Sequence, residues 1–381
     1  MVMKFKLRNF SFLLFFLFMS FASVLGFSQF NEAGLGRTVI RLLVLLGTLF
    51  LIIDYLTLKK IRVSSLFFIM ISSVLALLSV TQTKSFGLLI LLQMIMIAKD
   101  SSLDSLLKYN IVTLTIAFLF IVFTSLIGIT DPSFHEVIKN EVSFTVYRFG
   151  FGNPNSAAAI LFAIVTGFNL LHRNKFKKKY LIGEVVLTVL VYRIFGSRTF
   201  AATMIGYGFS ILLMTYLSKI RTALKLLWPI QYFFLVASVA MLYLSLNYNM
   251  LGNAWYNLDV VLSGRLSTWY LIINYYGIHL FGTDMSTLDQ GLDNGYLYLL
   301  MYSGIFSLII YNLIFYFVAK KAWNNQEWMI LITMLFYIVY AFFESTPLLG
   351  GLCNILLIFG YQVLGKQRER LKLKGTQDYD T

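Results

Sequence analysis

Long apolar runs separated by short polar breaks fill this chain from end to end. Apolar windows of about 18 residues or more recur throughout, the length a helix needs to cross hydrocarbon. They predict twelve helical spans, at roughly 10–27, 38–58, 63–80, 85–98, 107–129, 154–172, 180–196, 199–217, 227–246, 293–319, 327–343 and 347–364. The fourth window is short, and the seventh carries Arg193. The alternating ten-residue pattern of a membrane barrel is absent. The expected fold is an all-α polytopic membrane protein, with one integral membrane domain over residues 1–381. Its main extracytoplasmic loop, 247–292, joins the ninth and tenth spans, and a cytoplasmic tail follows at 365–381. Met1–Phe27 has the basic start and apolar run of a signal peptide. The run is long and lacks a small-residue cleavage site, so it reads as an uncleaved first span.

Composition sharpens this picture. The chain is 59% hydrophobic and only 13% charged, with a mean hydropathy of +0.77. A soluble fold of this size would need a far more charged surface. Charge then suggests orientation. With the N-terminus inside, the cytoplasmic segments hold 23 of the 31 Lys and Arg, including the run at 173–179. The acidic residues divide almost evenly between the two sides. That is the positive-inside pattern, with both termini cytoplasmic in a cell membrane. Anionic lipid headgroups account for a pI of 9.6 without nucleic acid. Cys353 is the single cysteine, and His135, His172 and His279 lack metal-ligand spacing, so neither a metal nor a cofactor is expected. Phosphate-loop and dinucleotide fingerprints are also missing, as is any internal repeat.

The candidate chemistry lies among the eight basic residues assigned outside, six of which are arginines. Arginine offers a planar fork of donors suited to phosphate and stays charged where water is scarce. Arg148 precedes FGFGNPNSAA; Arg193 and Arg198 bracket GS at the end of the seventh span; Arg265 opens GRLSTW. Arg193 and Arg198 can converge only if Gly196 ends the helix between them. Asn153 is placed to cap the sixth span, Pro154 suits its first turn, and Asn155 follows among small residues. Such a helix start is either a plain capped end or, with Arg148 beside it, an anion site. In the long loop, GRLSTWYLIINYYGIHLFG reads as a helix lying along the membrane surface, with Arg265 and Trp269 on one face. Trp255, Tyr256, Trp269, Tyr275 and Tyr276 are either sugar-stacking rings or an interfacial belt. Asp293 and Asn294 stand at the mouth of the tenth span with Tyr296 one turn in, where Asn294 could orient Asp293 and Tyr296 could pack beside an acceptor sugar. Asp293 is a candidate base or a helix-end charge, with His279 and Glu344 as alternates.

The order of RFGFGNPNSAA, SRT, GR with a following Trp269, and LDNGYLYLL with Gly304 resembles the O-antigen polymerase and ligase superfamily, especially Wzy-type repeat-unit polymerases. The resemblance covers about residues 145 to 305; the first 140 match only as generic spans. It implies a metal-independent glycosyltransferase acting on undecaprenyl-diphosphate-linked oligosaccharides, building capsular, exo- or O-antigen polysaccharide. Its arginines would hold the diphosphate and its long loop would shape the acceptor site. A repeat-unit flippase and a chain-length regulator are the implied partners. Asp293-Asn294 stands where the ligase branch typically has His-Asn, which favours the polymerase branch. A ligase to another acceptor, and a flippase of the same lipid-linked sugars, are the alternatives.

Overall fold

The computed structural model describes residues 2–31, 35–57, 70, 74, 78, 80–81, 86–99, 101–131, 134–139, 142–174, 176–216, 229–250, 252–261, 264–285 and 293–364. Most of the expected third span, the loop residues 286–292 and the tail 365–381 therefore lie outside the described residues. Helices dominate: α1 (Val2–Leu25), α2 (Leu35–Thr57), α3 (Gly87–Ala98), α4 (Leu103–Leu126), α5 (Pro154–Leu171), α6 (Lys178–Phe195), α7 (Arg198–Tyr216), α8 (Phe233–Leu246), α9 (Gly252–Val261), α10 (Arg265–Tyr276), α11 (Gly295–Asn324), α12 (Trp328–Ala341) and α13 (Asn354–Phe359). Among the described residues, five stretches are long and apolar enough to cross a membrane by length and composition: Gly36–Leu56, Leu103–Leu126, Pro154–Leu171, Pro229–Leu246 and Gly295–Asn324. Rows of exposed Leu, Ile and Val on α2, α4, α6 and α8 suit contact with lipid tails.

Two of the expected spans are short helices enclosed by protein. In the fourth window, α3 has only 12 residues, ten of them buried. In the twelfth window, Pro347 and the Gly350–Gly351 pair confine the chain to short 3-10 turns, Thr346–Leu348 and Gly350–Leu352, before α13 begins. The buried helix α13 packs against α3, α4, α5 and α11 at the centre of the fold. A helix enclosed by protein is apolar all round, as a lipid-facing one is, so composition alone cannot separate them. Asn354 ties this centre together. It accepts from Asn110 at 3.1 Å and donates to the Ala163 carbonyl at 2.7 Å.

The chain is also not helical throughout. Between α4 and α5 an antiparallel hairpin forms from β1 (Phe134–Lys139) and β2 (Val142–Tyr147), with Phe134 opposite Tyr147 and Lys139 opposite Val142. VSFTVY is rich in β-branched and aromatic residues and alternates with period two, which is a strand signal. The hairpin occupies most of the interval between the expected fifth and sixth spans.

Between α8 and α11, the expected surface helix exists as α10 but is packed on protein. Leu266, Trp269, Ile272 and Ile273 are buried, and the helix lies against α8. The chain then runs back into α11 itself. Gly304 is non-helical (φ 84°, ψ 171°) within that helix. Residues 279–283 fill the break: the Thr283 N–H donates to the Met301 carbonyl at 2.8 Å, and the Ile305 and Phe306 N–H groups donate to His279 and Leu280, each at 3.1 Å. Only glycine fits here. A Cβ at Gly304 would stand 2.2 Å from the Leu280 carbonyl oxygen, and one at Gly282 2.3 Å from that of Tyr302.

Candidate active site

Of the polar residues singled out from sequence, Arg265, Asp293 and Glu344 are brought together, and the others stand along the turn before α5, at the α6–α7 junction and at the start of α11. The turn before α5 is built first. Phe149 (φ 45°) and Gly150 (φ 78°) reverse the chain leaving β2. The fully buried Phe151 stacks on Phe118 at 5.3 Å. Backbone bonds from Gln29 N–H to Gly150 and from Gly152 N–H to Phe27, both 2.9 Å, fasten the turn to the end of α1. The FGFG portion is thus a joint between the hairpin, α1 and α5. Asn153 then caps α5, accepting from the Asn155 N–H at 2.8 Å, and Pro154 follows in the first turn. Asn153 itself is exposed and Asn155 half-buried.

Arg148 enters this turn half-buried, and its Nε is buried without a hydrogen-bond partner among the described residues. Its neighbour Phe149 meets Phe195 edge-on at 6.1 Å, which sets the hairpin exit on the end of α6. That helix does end at Gly196, in the left-handed conformation (φ 64°). Arg193 and Arg198 are both exposed, and neither forms an ion pair among the described residues. Between them Ser197 is buried, accepting from the Phe200 N–H at 3.4 Å.

Arg265 and Asp293, 28 residues apart, form an ion pair at 3.1 Å. Behind them Glu344 approaches the same guanidinium nitrogen at 4.0 Å. Burial differs sharply across this trio: the side chain of Glu344 is 3% exposed, that of Arg265 18% and that of Asp293 31%. One guanidinium therefore stands between a nearly enclosed carboxylate and one that reaches solvent. Asp259 holds Arg265 in place. Its buried carboxylate accepts from the Leu266 N–H at 2.7 Å and the Ser267 N–H at 3.3 Å, capping α10 from the preceding helix. Gly264 (φ 75°) makes the sharp turn between them.

Asn294 fixes the neighbouring backbone. Its Oδ1 accepts from the Tyr296 and Leu297 N–H groups, and its Nδ2 donates to the Phe342 carbonyl at 2.9 Å. Buried completely, it joins the start of α11 to the end of α12, and so brings Asp293 toward Glu344. Tyr296 lies deeper, 1% exposed, packed between Phe234 and Phe342. Its hydroxyl donates to the Ile338 carbonyl at 2.6 Å. It is a core residue rather than a ring presented to a sugar. Trp269 is likewise buried, whereas Tyr256 and Tyr275 expose their rings. His279, exposed, bonds the Tyr276 carbonyl at 2.9 Å beside the break in α11.

Three contributors are missing from the sequence reading. Asp259 acts through a cap seven residues away. Tyr340 is buried four residues before Glu344. Thr346, two residues past Glu344, reaches Ser156 of α5 at 3.5 Å. The DxxxxGR pattern from Asp259 to Arg265 is a faint local signal; the Ser156–Thr346 contact spans 190 residues and leaves none. No group of three or more His, Cys, Asp or Glu side chains suited to a metal occurs among the described residues.

No protein-family model matches the sequence, and neither a curated protein nor a solved structure matches it.

Proposed function

We propose that this protein polymerises undecaprenyl-diphosphate-linked oligosaccharide repeat units at the outer face of the cytoplasmic membrane, as a metal-independent glycosyltransferase. The observation that carries the reading is the trio of Arg265, Asp293 and Glu344, one cation shared by two carboxylates of unequal burial. Glycosyl transfer joins an acceptor hydroxyl oxygen to the anomeric carbon of the donor while the bond to the diphosphate oxygen breaks. The hydroxyl proton passes to a base, and the lipid diphosphate leaves with the bonding electrons. Asp293, the more accessible carboxylate, is the base in this scheme, and Glu344 and Arg265 position it. Arg148, Arg193 and Arg198 hold the diphosphate as it departs. The exposed Tyr256 and Tyr275 offer faces to incoming sugars.

Asp293→Asn keeps the shape and removes the basicity. The expected result is normal abundance in the membrane, single lipid-linked repeat units accumulating, and almost no polymer. Polymer made at close to the wild-type rate would remove Asp293 as the base; Glu344→Gln and His279→Ala are then the next substitutions. For the leaving group, Arg148→Ala and Arg198→Ala should each cut polymer yield at least tenfold, with Arg37→Ala tolerated as a control.

One observation favours a second reading, transport of the same lipid-linked sugars. Discontinuous helices such as α11, broken at Gly304, line the substrate sites of many transporters. A deletion strain separates the two. Unpolymerised units accumulating on the outer leaflet support a polymerase; units confined to the inner leaflet support a transporter.

A further inference from the structure

Away from the trio, α6 and α7 leave a cleft of about 240 Å³ lined by ten residues. Its walls are apolar, including Leu181, Val185, Met204 and Phe209, and none of the lining residues is cationic. Beside it Ile182, Val185, Val186 and Val189 are exposed along α6, so the cleft opens onto the hydrocarbon-facing side of that helix. Glu184 sits in its lining, on a residue only 8% exposed.

The two carboxyl oxygens of Glu184 have different surroundings. Oε1 accepts from Asn169 Nδ2 at 2.6 Å. Oε2 is buried with no hydrogen-bond partner among the described residues. On α7 the facing position is Gly208, which has no side chain to offer it a partner; an added Cβ there would stand 3.6 Å from Oε2. The other polar side chain in the cleft, Thr188, donates its hydroxyl to the Glu184 carbonyl at 2.7 Å. The cleft is therefore greasy along its walls and carries one unmet polar atom.

We propose that this cleft binds a single-chain lipid alcohol, its hydroxyl bonded to Glu184 Oε2 and its hydrocarbon chain lying between α6 and α7. This site is independent of the polymerase reading. A phosphate would face a carboxyl with no cation to offset it. Glu184 is six residues beyond Lys178, about 9 Å along the helix, which places it below the level where the lysines of this segment meet headgroups. An ammonium there would leave its charge in hydrocarbon at high cost. A hydroxyl both donates and accepts, so it satisfies the carboxyl oxygen whether or not the proton is on the acid.

The test uses the full chain purified into phosphatidylcholine nanodiscs. Dicyclohexylcarbodiimide, an apolar reagent that modifies carboxyl groups reached from hydrocarbon, should label Glu184 by mass spectrometry, and Glu184→Gln should remove that label. Hexadecanol should slow labelling about tenfold, the scale of one hydrogen bond; hexadecane and hexadecyl phosphate should not. In a second measurement, a diazirine-bearing long-chain alcohol should crosslink to α6 and α7, about tenfold less in Glu184→Gln. An unlabelled Glu184 would overturn the proposal, as would hexadecane or hexadecyl phosphate protecting as well as hexadecanol, or crosslinking that Glu184→Gln leaves unchanged.

Discussion

At the scale of single residues, Arg265 has two carboxylates to serve, and the more buried one depends on it more. Removing one partner of a buried charge set leaves the rest uncompensated, which costs about 3–5 kcal/mol. Glu344, 3% exposed and 4.0 Å from Arg265, is the side chain at risk. Arg265→Ala should therefore lower membrane abundance and thermal stability as well as polymer yield. Adding Glu344→Gln should restore much of the stability without restoring activity. If the double variant is no more stable than Arg265→Ala alone, Arg265 is not there to neutralise Glu344. Arg265→Lys keeps the charge but loses the planar guanidinium whose Nη2 stands between both acids, so it should retain stability better than alanine while still impairing polymerisation.

At the scale of elements, the break in α11 is the most demanding feature. Gly304 and Gly282 let two backbones approach so closely that a Cβ on either would collide with a carbonyl oxygen. Gly304→Ala adds a steric clash to an unfavourable φ of 84°. Its cost should exceed about 3 kcal/mol, the usual top of the overpacking range, and detergent-solubilised protein should aggregate. Gly128 is the matched comparison, with a similar φ of 78° and nothing within 4 Å of an added Cβ. Gly128→Ala carries conformational strain alone, about 1–2 kcal/mol. Similar losses of melting temperature in the two variants would mean that backbone strain, rather than the docked segment, makes Gly304 necessary. Of these two elements the sequence carries only the glycines. The partner of Gly304 is 22 residues back along the chain, in a stretch whose pattern reads simply as the end of a surface helix.

At the scale of the whole molecule, orientation is the property on which the proposed site depends. Single cysteines in place of Lys177 and Asn257, both exposed, test it in a Cys353→Ala background. Cys353 is buried at the centre of the fold, so alanine is the milder replacement there. A membrane-impermeant thiol reagent should label position 257 in intact cells and position 177 only after permeabilisation. Labelling of both from outside would place the basic 173–179 segment on the wrong side and remove the outer-face site. The long apolar helices need no such experiment to be read, because hydrocarbon leaves a chain few ways to satisfy its backbone and long apolar windows are the form that suits it.

Sequence by itself determined what depends on local chemistry. Apolar length gave the long helices; Asn153 with Pro154 gave the start of α5; Gly196 gave the stop between Arg193 and Arg198; Asp293 and Asn294 gave the mouth of α11. Tertiary structure decided what depends on neighbours distant in the chain. Whether an apolar window faces lipid or protein is such a question, and α3 and α13 took the inner places because other helices surround them. Whether a polar residue near a helix start is held or offered is another. Asn294 and Tyr296 became fastenings to α12, while Asp293 met Arg265 from the preceding loop and Glu344 from beyond α12. The physical reason is the same in each case: spacing along a chain fixes which residues share a helix face, but burial, pairing and free hydrogen-bonding capacity are set by whatever packs against that face.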